Sequence, residues 1–357
     1  MDMSRQSKQF SFSESLPFLN RPENIARYED GVVYILDRRV YPHTVRFVRC
    51  GSYEEVAGAI RDMVTQSYGP KFAALYGMVQ AAKRFKTEPA SVLPEKMREA
   101  ADVIIQSRPM NGSVRRASEA MLRAAEKAAE AGEDIEDAVL RAADAYVEED
   151  SRQMDRLGKN GAELIRDGDT VLTHCWADTT LVYTLVNVLK QGKKIEVICT
   201  ETRPYLQGAR LTAAAVTDMG IPATVITDNM PAHIMSLGMV NSFFCGCDRL
   251  TLSGHVFNKV GTLQIALCAR HFGIPVYVFS FGPDPSAAGP EDVKNEIREG
   301  NETLYCLGQR TAAPGVKGFY PAFDATPPEY VTRIVTDTGL YSPFEMRRYW
   351  EPEQNRK

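Results

Sequence analysis

The stretch Asp169-Thr-Val-Leu-Thr-His-Cys-Trp-Ala-Asp178 is where this sequence first offers chemistry. An apolar, β-branched run ends in a cysteine and turns into a segment that reads as a helix start. In an α/β sheet, ligands bind beyond the carboxyl ends of the strands, and a helix beginning there presents free amides to an anion. A thiol beside a positive helix end has a lowered pKa, so Cys175 is expected as a thiolate. Further along, Phe243-Phe-Cys-Gly-Cys-Asp248 repeats the arrangement with a carboxylate after the strand. One thiol and one carboxylate at two strand ends suffice for proton-transfer chemistry. His174 is no partner for Cys175, because adjacent strand residues point to opposite faces. On residue type alone, Cys175 is equally a buried structural cysteine, and Asp248 beside Arg249 equally a solvated charge pair.

Three more segments add polar groups. Glu201-Thr-Arg-Pro-Tyr-Leu-Gln-Gly-Ala-Arg210 follows a strand ending at Thr200 and carries Arg203, Gln207 and Arg210. The planar arginine fork suits phosphate, although the same arginines could pair with Glu201 and Asp218 on a surface loop. In Thr227-Asp-Asn-Met-Pro-Ala-His233, Asp228 could orient a sugar hydroxyl, and capping the next helix is the simpler expectation. Asn258 and Lys259 read as a polar break before an apolar helix, Leu263–Ala269, with the lysine placed to neutralise a phosphate. Cys245 and Cys247 are two apart, the five histidines are isolated, and neither C-x-x-C nor H-E-x-x-H occurs. No metal site is therefore read from the spacing. G-x-G-x-x-G and G-x-x-x-x-G-K-[ST] are also absent, so a dinucleotide or P-loop nucleotide site has no direct support.

These residues need a sheet to bring them together, and the patterning supplies one. Short apolar runs at Thr170–His174, Ile195–Thr200, Ala223–Thr227, Ser242–Cys247 and Val276–Phe281 alternate with helical stretches, the signature of a parallel sheet covered on both faces. Before them, Val32–Asp37 and Thr44–Arg49 predict a hairpin, and Ser52-Tyr-Glu-Glu55 predicts a capped helix running towards Thr65. Further helices are expected near 70–86, 94–107, 113–131 and 134–157. The fold class is α/β. Residues 1–29 form a lead-in, 30–160 a mainly helical N-terminal domain with a short β-hairpin, and 161–357 a Rossmann-like α/β domain.

Composition narrows the partners. Of 357 residues, 44% are hydrophobic and 25% charged, with a net charge of −4. No basic block marks a nucleic-acid surface, no apolar run approaches a membrane span, and the polar N-terminus lacks a signal-peptide core. Seven cysteines, an odd number scattered partly through apolar runs, fit reduced thiols and a cytoplasmic location better than a disulfide framework.

In their order, Leu172-Thr-His-Cys175, Glu201–Thr212, Ile226-Thr-Asp-Asn-Met230, Gly246-Cys-Asp-Arg249 and Asn258-Lys-Val-Gly-Thr262 resemble the 5-methylthioribose-1-phosphate isomerase family. That family is related to ribose-1,5-bisphosphate isomerases and to the regulatory subunits of the translation initiation factor 2B complex. The similarity runs from Ile35-Leu-Asp-Arg-Arg-Val-Tyr-Pro42 to Pro321-Ala-Phe-Asp-Ala-Thr-Pro327. It implies a homodimer, catalysis by Cys175 and Asp248, and substrate binding by Arg108, Gln207, Asn258 and Lys259. The non-catalytic regulatory subunits lack the thiol–carboxylate pair, so its presence implies an enzyme. Two stretches depart from the family. Thr65-Gln-Ser-Tyr68 stands where it usually has a substrate-binding Arg-Gly-Ala-Pro, and Trp176-Ala-Asp178 where Asn-Ala-Gly usually follows the cysteine.

The implied reaction converts a pentose 1-phosphate, 5-methylthioribose 1-phosphate or a close analogue, into the ketose 1-phosphate without cofactor or metal. Because the anomeric oxygen is esterified, the ring must be opened by protonating its oxygen before hydrogen moves from C2 to C1. Asp248, neutral in a dry pocket, is expected to give that proton and Cys175 to act as thiolate. Lys259, Arg203 and helix amides are expected to hold the phosphate. The alternatives are isomerisation of ribose 1,5-bisphosphate and a non-catalytic relative that senses a sugar phosphate or nucleotide.

Overall fold

The computed structural model describes residues 13–89, 91–109 and 111–351. The chain divides into two compact units between Arg152 and Gln153.

In the first unit, a helical turn α1 (Pro22–Ile25) leads into β1 (Ala26–Glu29), β2 (Val32–Leu36) and β3 (Phe47–Cys50). They form an antiparallel sheet in the order β1-β2-β3. The expected hairpin is present, with Leu36 opposite Phe47. Strand β1 falls in the segment read as a lead-in, where alternate burial of Ala26 and Tyr28 gives it a core face. Helices α2 (Tyr53–Arg61), α3 (Gly69–Phe85), α4 (Leu93–Gln106), α5 (Gly112–Ala131) and α6 (Ile135–Ala162) follow, the last continuing past Arg152 into the second unit. Ser52 Oγ accepts the Glu55 amide at 3.3 Å, and the Glu55 carboxylate accepts the Gly51 amide at 2.7 Å, which fixes the start of α2. That helix stops at Arg61, short of the expected Thr65. The α5 helix ends where Gly132 turns left-handed, at φ 69°. Val56, Leu75, Met78, Ile104 and Met121 close the helical core.

The second unit alternates strands and helices: β4 (Thr170–His174), α7 (Asp178–Lys190), β5 (Glu196–Thr200), α8 (Ala213–Asp218), β6 (Ala223–Ile226), α9 (Pro231–Ser236) and β7 (Ser242–Cys245). Then come β8 (Arg249–Leu250), β9 (Val256–Lys259), α10 (Thr262–Phe272) and β10 (Val276–Phe279). The remaining strands are β11 (Ile297–Arg298), β12 (Tyr305–Cys306), β13 (Gln309–Arg310), β14 (Tyr320–Pro321), β15 (Phe323–Thr326), β16 (Arg333–Thr336) and β17 (Gly339–Tyr341).

Seven strands form one sheet in the order β17-β16-β10-β7-β4-β5-β6, parallel throughout except for the β16–β17 pair. Leu172, Phe243, Val278 and Ile334 fill the core on one face, and Val171, Phe244, Phe279 and Val335 fill it on the other. Each such side chain contributes on the order of 1.5–3 kcal/mol by burial, which is why these strands read as unbroken apolar runs. Counting parallel strands in chain order, the sheet runs 3-2-1-4-5-6, so the chain reverses direction across the sheet between β4 and β7. The carboxyl ends of these two strands flank the crevice where such sheets bind ligands. A separate antiparallel sheet, β15-β9-β8, lies in the same unit. Among the described residues, no helix is long and apolar enough to cross a membrane.

Candidate active site

Strand β4 ends at His174, and the next residue, Cys175, takes a left-handed conformation at φ 62°. Asp178, Thr202 and Leu206 are also left-handed, so four non-glycine residues in this conformation gather in two loops at one end of the sheet. Each costs on the order of 1–3 kcal/mol and persists only where its surroundings hold it. At Cys175 the hold is visible on both sides of the residue. Its amide donates to Thr202 Oγ1 at 2.9 Å, and its carbonyl accepts from Thr212 Oγ1 at 2.5 Å.

His174 is spent on the scaffold. Its Nε2 lies 3.0 Å from the Val260 carbonyl and its Nδ1 2.6 Å from Thr200 Oγ1. A carbonyl can only accept, so Nε2 carries the hydrogen and Nδ1 accepts from the threonine hydroxyl. Burial holds the imidazole below its ordinary range, which suits this neutral form. Neither nitrogen is left for Cys175.

The expected thiolate is not the resting form. Cys175 keeps partial exposure, yet enough protein surrounds its thiol that desolvation is the leading influence and pushes it up to about 11. The Lys259 charge and a backbone hydrogen bond at Trp176 pull it down, while Asp248 and Asp228 push it up. The helix-end effect fails because α7 starts three residues later, at Asp178, itself buried. Trp176 is buried as well. All seven cysteines are free.

Asp248 follows β7, with its amide donating to the Phe257 carbonyl at 2.9 Å. It is exposed, not enclosed in a dry pocket as expected. Arg249 beside it pairs with Asp284 at 3.4 Å.

Asn258 and Lys259 do not occupy a polar break. Both lie in β9 and are buried, 5% and 6% exposed. Asn258 Nδ2 donates to Thr262 Oγ1 at 3.0 Å. The Lys259 amine sits 5.0 Å from the centre of the Phe323 ring and 5.8 Å from that of Tyr320, with no ion-pair partner among the described residues. A buried amine without a carboxylate is unusual, and a ligand anion would complete it.

Helix amides were expected to hold phosphate, and those at the start of α10 are already taken. Asp324, opposite Asn258 on β15, accepts from Gly261 at 2.7 Å and from Leu263 at 3.2 Å. Burial lifts its carboxyl to about 6 although these hydrogen bonds and Lys259 oppose the shift. Asp228 does not cap the next helix, whose N-cap is Met230. Its two oxygens accept the amides of Thr202 and Arg203 at 2.8 and 2.7 Å, which fixes the loop that clamps Cys175.

Gln207 is buried at the start of a π-helical turn, Gly208–Thr212, a form of helix that recurs at functional sites. A Cβ on Gly208 would lie 1.7 Å from the Thr200 carbonyl oxygen, so only glycine lets the turn approach β5. Arg203 directs Nη2 at the carbonyls of Thr303 (3.2 Å) and Tyr305 (2.8 Å), while its buried Nη1 has no partner among the described residues. Arg108 lies in the first unit, half-buried in the turn after α4. In that unit too, Thr65 is buried and the Gln66 carbonyl accepts from the buried Arg38. Thr202, Thr212, Asp324 and Tyr320 escaped the sequence reading. Asp324 lay inside the Pro321–Pro327 stretch, and Thr202 and Thr212 inside Glu201–Thr212, without being singled out.

A sheet switch point carrying a thiol, a carboxylate and a buried lysine defines an α/β protein equipped for an anionic small molecule. Among the described residues, no group of three His, Cys, Asp or Glu side chains is arranged to hold a metal ion. The chain belongs to the Initiation factor 2 subunit family, whose sequence profile matches residues 64–343. Methylthioribose-1-phosphate isomerase of Thermosipho africanus is 39% identical over 323 residues, 87% of this chain and 93% of its own. The protein of that name from Chloroflexus aurantiacus is 37% identical over 328 residues, 88% and 94% of the two chains. The crystal structure of 5-methylthioribose 1-phosphate isomerase from Pyrococcus horikoshii OT3 superposes with a TM-score of 0.86 at 29% identity, covering 95% and 98%. That of translation initiation factor eIF-2B subunit delta from A. fulgidus gives 0.79 at 33%, covering 90% and 96%.

Proposed function

We propose that this protein is an aldose–ketose isomerase converting 5-methylthioribose 1-phosphate, or a close pentose 1-phosphate analogue, to the ketose 1-phosphate. The observation that supports it most directly is the meeting of Cys175, Asp248 and Lys259 in one electrostatic neighbourhood at the ends of β4, β7 and β9. The substrate is a dianion with several hydroxyls. Lys259, Asn258, Gln207 and Arg203 are assigned to binding it.

The protonated thiol of Cys175 favours a definite division of labour. Cys175 enters as the thiol and gives its proton to the ring oxygen, whose bond to C1 breaks with the electron pair going to that oxygen. A hydride then moves from C2 to C1, and Asp248 takes the proton of the C2 hydroxyl as the ketone forms. The thiolate left behind is stabilised by Lys259 and regains a proton from the Asp248 carboxyl through water, which reaches the exposed Asp248. Every proton is thus returned. In the same reading the enzyme is a cytoplasmic homodimer acting on a free small molecule, consistent with its net charge of −4.

The test is turnover followed by phosphorus NMR. Wild type and Cys175→Ser are given 5-methylthioribose 1-phosphate, 5-deoxyribose 1-phosphate, ribose 1-phosphate and ribose 1,5-bisphosphate. A ketose 1-phosphate signal absent from the variant is expected, and in heavy water C1 should carry no solvent deuterium. Deuterium at C1 would replace the hydride shift by proton transfer. Ligand binding without turnover of any of the four sugars would overturn the enzyme and favour a sensing relative.

A further inference from the structure

The mechanism above does not use Tyr320. Tyr320 is 2% exposed, and its hydroxyl has no hydrogen-bond partner among the described residues. A buried hydroxyl is costly to leave unpaired, so an orphan next to a site calls for a missing acceptor. The residue opens β14, opposite Arg298 of β11, and precedes by three positions Phe323, which faces Lys259 across the β15–β9 ladder. Lys259 Nζ lies 5.8 Å from the Tyr320 ring centre. On another side stands Tyr205 from the Arg203 loop, its ring centre 6.4 Å away. Burial, against the pull of Arg298, holds the phenol protonated well above its usual range, so its O–H is available to donate at neutral pH.

Two more donors in this neighbourhood are unspent. Among the described residues, Lys259 Nζ has no ion pair and Arg203 Nη1 is buried without a partner. Three donors without acceptors call for a ligand rich in acceptors, and a phosphate offers several on one small group.

We propose that Tyr320 is a further substrate-binding residue whose hydroxyl donates to a phosphate oxygen of the bound sugar phosphate, alongside Lys259. This rests on the isomerase reading above.

Tyr320→Phe keeps the ring and removes only the hydroxyl. Steady-state turnover of wild type and variant on 5-methylthioribose 1-phosphate is measured together with thermal melting of the ligand-free proteins. The expected result is a KM raised about ten- to hundredfold, kcat changed far less, and a melting temperature equal to or above wild type. A structural hydroxyl gives the opposite pattern, with lowered melting and unchanged KM, and overturns the assignment. So does a KM within twofold of wild type at any stability. Absence of wild-type turnover on every sugar of the panel overturns the isomerase reading and this assignment with it, a result distinct from an active wild type matched by its variant.

Discussion

Strands β4 and β7 are neighbours in register, with His174 opposite Cys245, yet their tips are built in different ways. At the β4 tip, Cys175 is twisted left-handed, clamped by Thr202 and Thr212, and desolvated until its thiol holds a proton. At the β7 tip, Asp248 sits exposed, anchored through its backbone amide. One tip is rigid and dry, the other open to water. Two groups whose surroundings differ this much can divide acid and base work between them, and the difference says which starts with the proton.

The largest expected effect removes the wet tip's chemistry alone. Asp248→Asn should lower turnover about 10²–10⁴-fold while changing stability by less than about 0.5 kcal/mol, since the side chain is exposed. Turnover and urea melts of the same preparation check both halves. A variant with near wild-type turnover would remove Asp248 from the chemistry and leave the thiol tip without a partner.

The protonation contrast can be read directly by alkylation. With its thiol at about 11, Cys175 is thiolate in only about one molecule in a thousand at pH 8. Iodoacetamide labelling of the Cys175 peptide, followed by mass spectrometry, should therefore quicken roughly tenfold per pH unit from about 8 to 10. Lys259→Met should slow it further by removing the charge that pulls the thiol down. A labelling rate already level below about pH 8 would restore the helix-activated thiolate and erase the contrast between the tips.

Rigidity at the dry tip rests on Thr202. Thr202→Val deletes the acceptor of the Cys175 amide and should cost about 1–3 kcal/mol in urea unfolding, with turnover falling because the thiol loses its aim. Unchanged stability would mean that the left-handed turn at Cys175 holds without its clamp.

What the sequence disclosed follows the same division. Strands β4 and β7 declare themselves because both faces are covered and their central positions are apolar, so Cys175 and Asp248 stood out beyond the ends of such runs. The alternation of strand and helix announced a parallel sheet, whereas the order of its strands, and with it the switch point, comes from the pairing of the folded chain. Lys259 misled, since a lysine beside an asparagine reads as a solvated break when it is in fact a buried strand residue over two rings. The protonation of Cys175 was illegible for a different reason. A helix end is visible in local sequence, whereas desolvation depends on how much distant chain encloses the thiol. Asp228 shows the same limit, a cap by local rules but a ligand of two amides some 25 residues earlier by tertiary contact.

The smallest effect concerns Asp324, the carboxylate at the start of α10. Burial lifts it to about 6 from an ordinary 3.8, against hydrogen bonds from Gly261 and Leu263 and the pull of Lys259. Between those two values the folded chain binds more protons at this group than the unfolded chain does. Its contribution is therefore complete below about 3.8 and is lost as pH rises through about 6, so stability falls with pH in that window. With partial exposure discounted, the change is on the order of 1 kcal/mol, about 2–4 °C in melting temperature. Asparagine at 324 can still accept the helix amides but cannot titrate. Melting of wild type minus that of Asp324→Asn, followed from about pH 4 to 7, isolates the term, because groups common to both proteins cancel. A difference that declines towards pH 7 places a neutral carboxyl near Lys259 in mild acid and a charged one above it. The carboxylate would then compete with a substrate phosphate for the lysine only above about pH 6, and KM should rise across the same window. A flat difference would make Asp324 a permanent anion, and the buried lysine would then be balanced before any substrate arrives.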